Sequence, residues 1–310
     1  MVGARGAPSA AILSDPSAHR LAAGSLEALF LPAHGMLGAS LRHRGVELLR
    51  RIENLDAAAA NGSTAGIPLL HPWANRLDGL RYRSAGRSVE LDRSSALLHL
   101  DGNGLPIHGV PWSMLRWQVT VATQERIAAR LDWTRSELLA LFPFSHRLEM
   151  TVTLAPDAIT VETTLLASAD GAVPVSFGFH PYLGLPALTR DRWRLILPSM
   201  RRLVLDGRGI PTGAEESFSG WDAPLAGLDL DDAFATDEHA SLAVEDGERR
   251  ISVDFLEGYG HAQVYAPADK AFVALEPMTA PTNALVSGRE LRFVEPEDRF
   301  RAGFRIRVDG

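Results

Sequence analysis

Strict alternation over Arg147–Leu154, RLEMTVTL, constrains this chain more than any other feature. Leu148, Met150, Val152 and Leu154 fall on one side, and Arg147, Glu149, Thr151 and Thr153 on the other. Successive side chains of a strand point to opposite faces, so this period commits the segment to a half-buried β-strand. The pattern recurs in Arg126–Trp133, Ile159–Leu165, Trp193–Leu197, Ile251–Phe255 and Phe304–Val308. Turn dipeptides punctuate the runs: Asp101-Gly102, Asp206-Gly207, Asp246-Gly247 and Pro156-Asp157. Short strands at regular spacing, separated by such turns, predict an antiparallel sandwich or barrel rather than βαβ units.

Helical signals are sparse. Asn54–Ala60 (NLDAAAA) and Ser136–Leu141 (SELLAL) each predict a helix of a turn or two, too short to organise a domain. Ala57–Gly66 reads as a mobile loop, and the first eight or so residues as a frayed end. With no internal repeat, polar linker or composition break, residues 1–310 are expected to form one all-β domain. A chain that is 46% hydrophobic and 22% charged supplies a sizeable core. A net charge of −7 argues against a nucleic-acid partner, and the absence of cysteine excludes disulfides, thiolate nucleophiles and Cys-ligated zinc. No apolar run reaches membrane-spanning length and the N-terminus carries no signal-peptide core. A cytoplasmic protein without membrane contact is therefore expected.

Chemistry points first to Phe272–Ala284, FVALEPMTAPTNA, where an apolar run delivers Glu276 and meets Pro277. A carboxylate among Phe272, Val273 and Leu275 is costly to bury unless its charge is used. Proline lacks a ladder donor, so the strand is expected to stop there, with Glu276 at its end beside a cleft. The competing reading is a solvated Glu on an edge strand. His180 in VSFGFHPYLGLP, set between Phe179 and Pro181, tips the balance, because a Glu and a His from separate strands form a base and an acid.

Three further clusters are polar residues in apolar or turn-forming sequence. GIPLLHPWANRLDG at 66–79 sets Asn75 and Arg76 after Trp73; an aromatic beside amide and guanidinium donors suits a sugar, and a loop anchored by a buried Trp is the competing reading. LPIHGVPW at 105–112 places Gly109 after His108, which allows a sharp turn that leaves the imidazole exposed. AQVYAP at 262–267 reads as a strand with Gln263 and Tyr265 on one face. The acidic LDLDDAF at 228–234 lacks the glycine and terminal Glu of a calcium loop, leaving a solvated loop or a hydroxyl acceptor. His71, His99, His108 and His180 lack metal-ligand spacing. Phosphate-loop, dinucleotide-glycine, HExxH and GxSxG motifs are absent.

Taken in order, GIPLLHPWANRLDG, LPIHGVPW, FPF at Phe142–Phe144, VSFGFHPYLGLP, the DxxF at Asp231–Phe234, AQVYAP and LEPMTAP resemble the aldose 1-epimerase (galactose mutarotase-like) family. Each motif alone is weak, but seven in register span most of the chain. The resemblance implies a β-supersandwich of large twisted antiparallel sheets with a sugar cleft. It also implies interconversion of the α and β anomers of a free aldose without cofactor or metal, by a monomer or homodimer. Residue by residue, Glu276 resembles the general base, His180 the general acid and His108 the second histidine. Asn75, Arg76, Asp231 and Gln263 resemble hydroxyl-binding groups, with Asp232 able to replace Asp231 after a one-residue shift. Glu276 would take the proton of the C1 hydroxyl while His180 protonates the ring oxygen; the ring opens, C1–C2 rotates, and closure reverses both transfers.

The short connection between His108 and Trp117 resembles the compact bacterial branch of the family more than the galactose-metabolising one. A hexose-6-phosphate epimerase is the enzymatic rival, with Arg76, Arg81, Arg83 and Arg87 as anion-binding candidates. Phosphate-handling relatives, however, commonly place an arginine soon after the HG, where this chain has Val110-Pro111-Trp112. A non-catalytic carbohydrate-binding protein is the rival from another class. A glycosidase is expected less, since hydrolysis generally wants two carboxylates.

Overall fold

The alternating runs assemble into one broad antiparallel sheet. In the computed structural model, which describes residues 15–51, 64–237 and 239–310, nine strands pair in the order Trp221–Pro224, Arg194–Leu197, Ser241–Glu245, Arg250–Glu257, Arg299–Asp309, Ala158–Ala167, His146–Leu154, Arg126–Trp133 and Gln118–Ala122. The predicted half-buried face is realised: Leu148, Met150, Val152 and Leu154 are buried. Asp246-Gly247 and Pro156-Asp157 make turns between paired neighbours of this sheet, and Asp206-Gly207 does so in the next.

A second sheet of eight strands carries the polar motifs. Pro211–Phe218, Met200–Leu205, Leu230–Ala235, His261–Ala266, Val273–Met278, Gly178–Phe179 and Leu69–Leu70 run side by side, and Tyr182–Leu183 also pairs with Val273–Met278. Its rear face packs on the nine-stranded sheet: Ala262, Val264, Val273 and Leu275 join Val253, Phe304 and Ile306 in one hydrophobic cluster, with the Phe179 and Phe304 rings 5.0 Å apart. Two large sheets stacked face to face are the expected β-supersandwich. A four-stranded sheet over His19–Glu47 and two hairpin-sized ladders complete the strands among the described residues. The helix predicted at Ser136–Leu141 is present, and a second short one spans Ala284–Ser287. The expectations for the first eight residues, for Asn54–Ala60 and for most of Ala57–Gly66 lie outside the described residues. Among those described, no helix is long and apolar enough to cross a membrane.

Candidate active site

The front face of the eight-stranded sheet is organised in cross-strand rungs. Leu203 opposes Ala233, Ala233 opposes Gln263, and Gln263 opposes Glu276. One rung along, Asp231 opposes Tyr265, Tyr265 opposes Ala274, and Ala274 opposes Tyr182. Because side chains alternate, Asp231, Gln263, Tyr265 and Glu276 share this face, while Asp232 and Phe234 point to the rear. Asp232 lies 3.6 Å from Arg202 there. Register thus answers the one-residue ambiguity: Asp231 reaches the cleft and Asp232 does not.

Glu276 does not end its strand. The strand runs on to Met278, with Pro277 opposite Ala262, and Glu276 is central and buried rather than at an edge. The Pro277 carbonyl lies toward Gly178, so its nitrogen faces the same side. On that side the partner chain breaks between Gly178–Phe179 and Tyr182–Leu183, so the missing donor sits where the ladder is already interrupted. His180 occupies that interruption and places Nε2 3.1 Å from Glu276 Oε1. Its ring stacks on Tyr182 at 4.1 Å and 14°, and Tyr182 is hydrogen-bonded to Thr64.

His108 approaches from a loop whose geometry needs its glycine. A Cβ on Gly109, at φ +67°, would stand 2.3 Å from the His71 carbonyl oxygen. Asn75 and His108 themselves adopt left-handed φ of 55° and 62°, a cost of roughly 1–2 kcal/mol each for a residue with a Cβ. Reciprocal bonds hold them. The His108 amide donates to the Asn75 carbonyl at 2.9 Å, and the Asn75 amide donates to His108 Nδ1 at 3.3 Å. With Nδ1 accepting, the proton of the neutral ring sits on Nε2. The His108 and His180 rings meet edge to face at 5.6 Å.

Arg76 is pinned by acids. Its Nε donates to Asp101 Oδ2 at 2.8 Å, and Nη1 donates to Asn75 Oδ1 at 3.2 Å and lies 3.7 Å from Asp231 Oδ2. Gln263 Nε2 donates to Asp231 Oδ1 at 2.6 Å. All seven residues singled out from sequence, Glu276, His180, His108, Asn75, Arg76, Asp231 and Gln263, line one cavity of about 310 Å³. Trp73 does not; it is fully buried in the main core, so the aromatic neighbours of the cavity are Tyr182 and Tyr265. His71 is also elsewhere, paired with His146 in the core at 2.9 Å. Arg81 pairs with Glu90 and Arg87 with the Pro143 and Asp170 carbonyls, so these arginines are not gathered at the cavity. Among the described residues, no three His, Cys, Asp or Glu side chains converge to hold a metal ion. Sequence reasoning missed Asp101 and Thr64 and weighed His99 only as a metal ligand; all three also line the cavity. Asp101 was visible only as half of an Asp-Gly turn.

Burial sets the electrostatics. It pulls His180 well below the ordinary imidazole range, helped by the neighbouring His108 and by Arg50, whose guanidinium lies 5.5 Å over the Tyr182 ring. It pushes Glu276 well above the carboxylate range, with Asp231 adding repulsion and Arg76 opposing. His108 is lowered to about 3 by burial and then by Arg76. At 3.1 Å the Glu276–His180 pair is a coupled unit. Desolvation disfavours both the doubly protonated and the fully deprotonated pair, so the state holding one proton spans a wide pH range. His180 Nδ1 and Glu276 Oε2 are buried and have no partner within the protein.

A stacked-sheet scaffold carrying a Glu–His proton pair in a polar cavity defines a galactose mutarotase-like protein. A sequence profile of the aldose 1-epimerase family matches residues 32–307, and the chain belongs to that family. It is similar to the uncharacterized protein YihR of Escherichia coli (strain K12), with 25% identity over 268 residues, 77% of this chain and 80% of that one. The fold is shared with a galactose mutarotase-like protein from Clostridium acetobutylicum (TM-score 0.81, 19% identity, 94% of each chain). It is shared too with the Slr1438 protein of Synechocystis sp. PCC 6803 (TM-score 0.77, 24% identity, 95% of this chain and 96% of that one). Galactose 1-epimerase from Lactobacillus acidophilus NCFM superposes with a TM-score of 0.73 at 12% identity, over 92% of each chain.

Proposed function

We propose that the protein is a cofactor-independent aldose 1-epimerase that interconverts the α and β anomers of an unphosphorylated aldose. The observation that carries this reading is the 3.1 Å approach of Glu276 and His180 inside a cavity that also holds Asn75, Arg76, Asp231 and Gln263. Anomerisation needs one proton removed from the C1 hydroxyl and one delivered to the ring oxygen. A pair that holds one proton meets both needs. The two shifts favour that proton on Glu276 before a sugar binds. Its transfer to His180 across the 3.1 Å contact gives a carboxylate that takes the first and an imidazolium that gives the second. The open-chain aldehyde then turns about C1–C2, and the reverse transfers close the other face. Positioned acid and base groups each contribute a factor of ~10²–10⁴. His108, whose neutral ring offers an Nε2 proton, would steady the ring oxygen, and the Arg76–Asp231–Gln263 chain would hold hydroxyls.

The preference for a free sugar rests on charge. Arg76 is already neutralised by Asp101 and Asp231, and Arg81 and Arg87 are engaged away from the cavity. A dianionic phosphate would therefore meet more carboxylate than free guanidinium. Saturation-exchange NMR of anomeric protons tests the proposal: catalytic amounts of protein should accelerate exchange for glucose or galactose and much less for glucose 6-phosphate. Acceleration of none of a panel of aldoses removes the epimerase reading and leaves a carbohydrate-binding protein. A preference for the phosphate ester instead reverses the substrate class.

A further inference from the structure

One rung along the front face from Gln263 and Glu276, in the direction away from Tyr265, Arg201 opposes Ala235, Ala235 opposes His261, and His261 opposes Met278. A second cavity, of about 430 Å³, opens above this rung and is lined by Arg201, Thr236, Tyr259, His261, Glu290 and Arg292, among others. It shares no lining residue with the catalytic cavity. The His261 side chain is only 5% exposed and stands 3.2 Å from Glu290, nearly the separation of His180 and Glu276. An ion-pair chain links two of the lining residues, Arg201 and Glu290, through Glu215 and Arg289. Arg201 bonds Glu215 at 2.5 Å, Glu215 bonds Arg289 at 2.5 Å, and Arg289 adjoins Glu290 at 3.8 Å, which closes the chain on His261.

Such a chain holds Arg201 and Glu290 in place before any ligand arrives, and the guanidinium and carboxylate they present to the same cavity suit the hydroxyls of a sugar, which both donate and accept. His261 Nδ1, Thr236 Oγ1 and the Tyr259 hydroxyl are buried and have no partner within the protein. Buried polar groups are ordinarily satisfied, so three unpaired ones lining one cavity mark it as a place where hydrogen bonds are completed from outside. Guanidinium, carboxylate, imidazole and hydroxyl are also the donors and acceptors of the catalytic cavity, in a space within the range that takes small molecules.

The geometry points to a second saccharide-binding site, centred on His261, Thr236 and Glu290 and distinct from the catalytic cavity. It takes a neutral, hydroxyl-rich sugar unit and is independent of turnover at Glu276. The two sites lie a single rung apart, about 7 Å along the strand, so a reducing disaccharide is a natural probe beside single sugars. Backbone amide shifts of the full chain are followed while glucose, galactose, maltose or inorganic phosphate is added. Saturable shifts of Ala235, Thr236, His261 and Leu291 with at least one sugar are expected. Glu290→Gln with Thr236→Val should weaken that midpoint by roughly tenfold or more and leave the midpoint at Gln263 and Tyr265 in place. The latter set reports independently on folding and on the catalytic cavity. No saturable shift at the first set with any of the three sugars overturns the inference. So does a response to phosphate alone, or a midpoint that the double variant leaves unchanged.

Discussion

Two pairs of adjoining histidines lie among the described residues, and they differ in what they face. His71 and His146 meet through their Nε2 atoms at 2.9 Å; His146 Nδ1–H donates to the Phe144 carbonyl at 2.6 Å, and its ring stacks on Trp133. Since the Phe144 carbonyl can only accept, His146 Nε2 must be the acceptor and His71 Nε2 the donor. His180 is likewise buried and His108 half-buried, and both are lowered. Their surroundings differ. The core pair is walled by Trp133, Phe142 and Phe177, whereas His180 faces a carboxylate and both rings line a cavity with an amide, a guanidinium and an acid. A shifted imidazole therefore says little about function, because burial alone produces it. The informative feature is an acidic partner that shares the burial and opens onto space.

Glu276→Gln breaks the cleft pair most directly. An amide cannot accept the C1 proton, so kcat should fall by ~10²–10⁴, while sugar affinity and thermal midpoint stay close to the parent. Anomeric exchange spectroscopy with calorimetric binding separates these quantities. Equal loss of binding and turnover would mean that Glu276 only holds the sugar.

Exchanging one histidine in each pair sharpens the contrast. His180→Gln should cost ~10²–10⁴ in kcat with little loss of stability. His146→Leu should show the reverse, because it strips His71 of its acceptor and leaves that imidazole buried and unpaired. The expected loss is roughly 3 kcal/mol in denaturant unfolding, with turnover per folded molecule unchanged. If His146→Leu abolished turnover of the folded protein, the division between a structural and a chemical pair would fail.

Acid should act on stability and on turnover differently. Burial lowers His146 from an ordinary 6.5 to about 4 and lowers His71 in the same direction. Between those values the unfolded chain binds more protons than the folded one, so stability is intact above 6.5 and drains as pH falls toward 4. His146 alone accounts for roughly 3 kcal/mol of that loss. Turnover should instead follow a bell, with its acid limb where the Glu276–His180 pair gains a second proton and its alkaline limb where it loses the last. The lowered His180 and raised Glu276 push these limbs apart into a broad plateau. Urea midpoints and initial rates measured at each pH should diverge, and superimposable curves would tie activity to unfolding alone.

Much of this was legible in the sequence because strands write their two faces in alternate letters. Arg126–Trp133 and Arg147–Leu154 are strands at or within one residue of their predicted limits, and six of the seven motifs converge on one cavity, while Phe142–Phe144 packs in the core beside His71. What local pattern could not supply was long-range. Pro277 reads as a strand end until the break at His180–Pro181 shows where its missing donor points. Trp73 reads locally as a buried anchor more readily than as a sugar platform, and its place in the main core bears out the anchor. Asp101 lies 25 positions from Arg76 in the chain, and no spacing rule links a turn residue to the guanidinium it fixes.

The smallest expected effect tests the register itself, using two neighbouring acids. Asp231 and Asp232 differ by one position in the Leu230–Ala235 strand, so the pleat sends one to each face. Asp231 Oδ1 accepts from Gln263 and Oδ2 faces Arg76, while Asp232 lies against Arg202 and burial raises its pKa. Asp231→Asn removes a charge that orients both cleft neighbours, and KM for a free aldose should rise about tenfold, with kcat changed far less than in Glu276→Gln. Asp232→Asn should leave KM within about twofold, since an exposed or half-exposed ion pair contributes little. The pair of variants reads the strand register through kinetics. A larger KM change in Asp232→Asn than in Asp231→Asn would mean the strand is shifted by one residue, and with it the cross-strand rung that sets Gln263 beside Glu276.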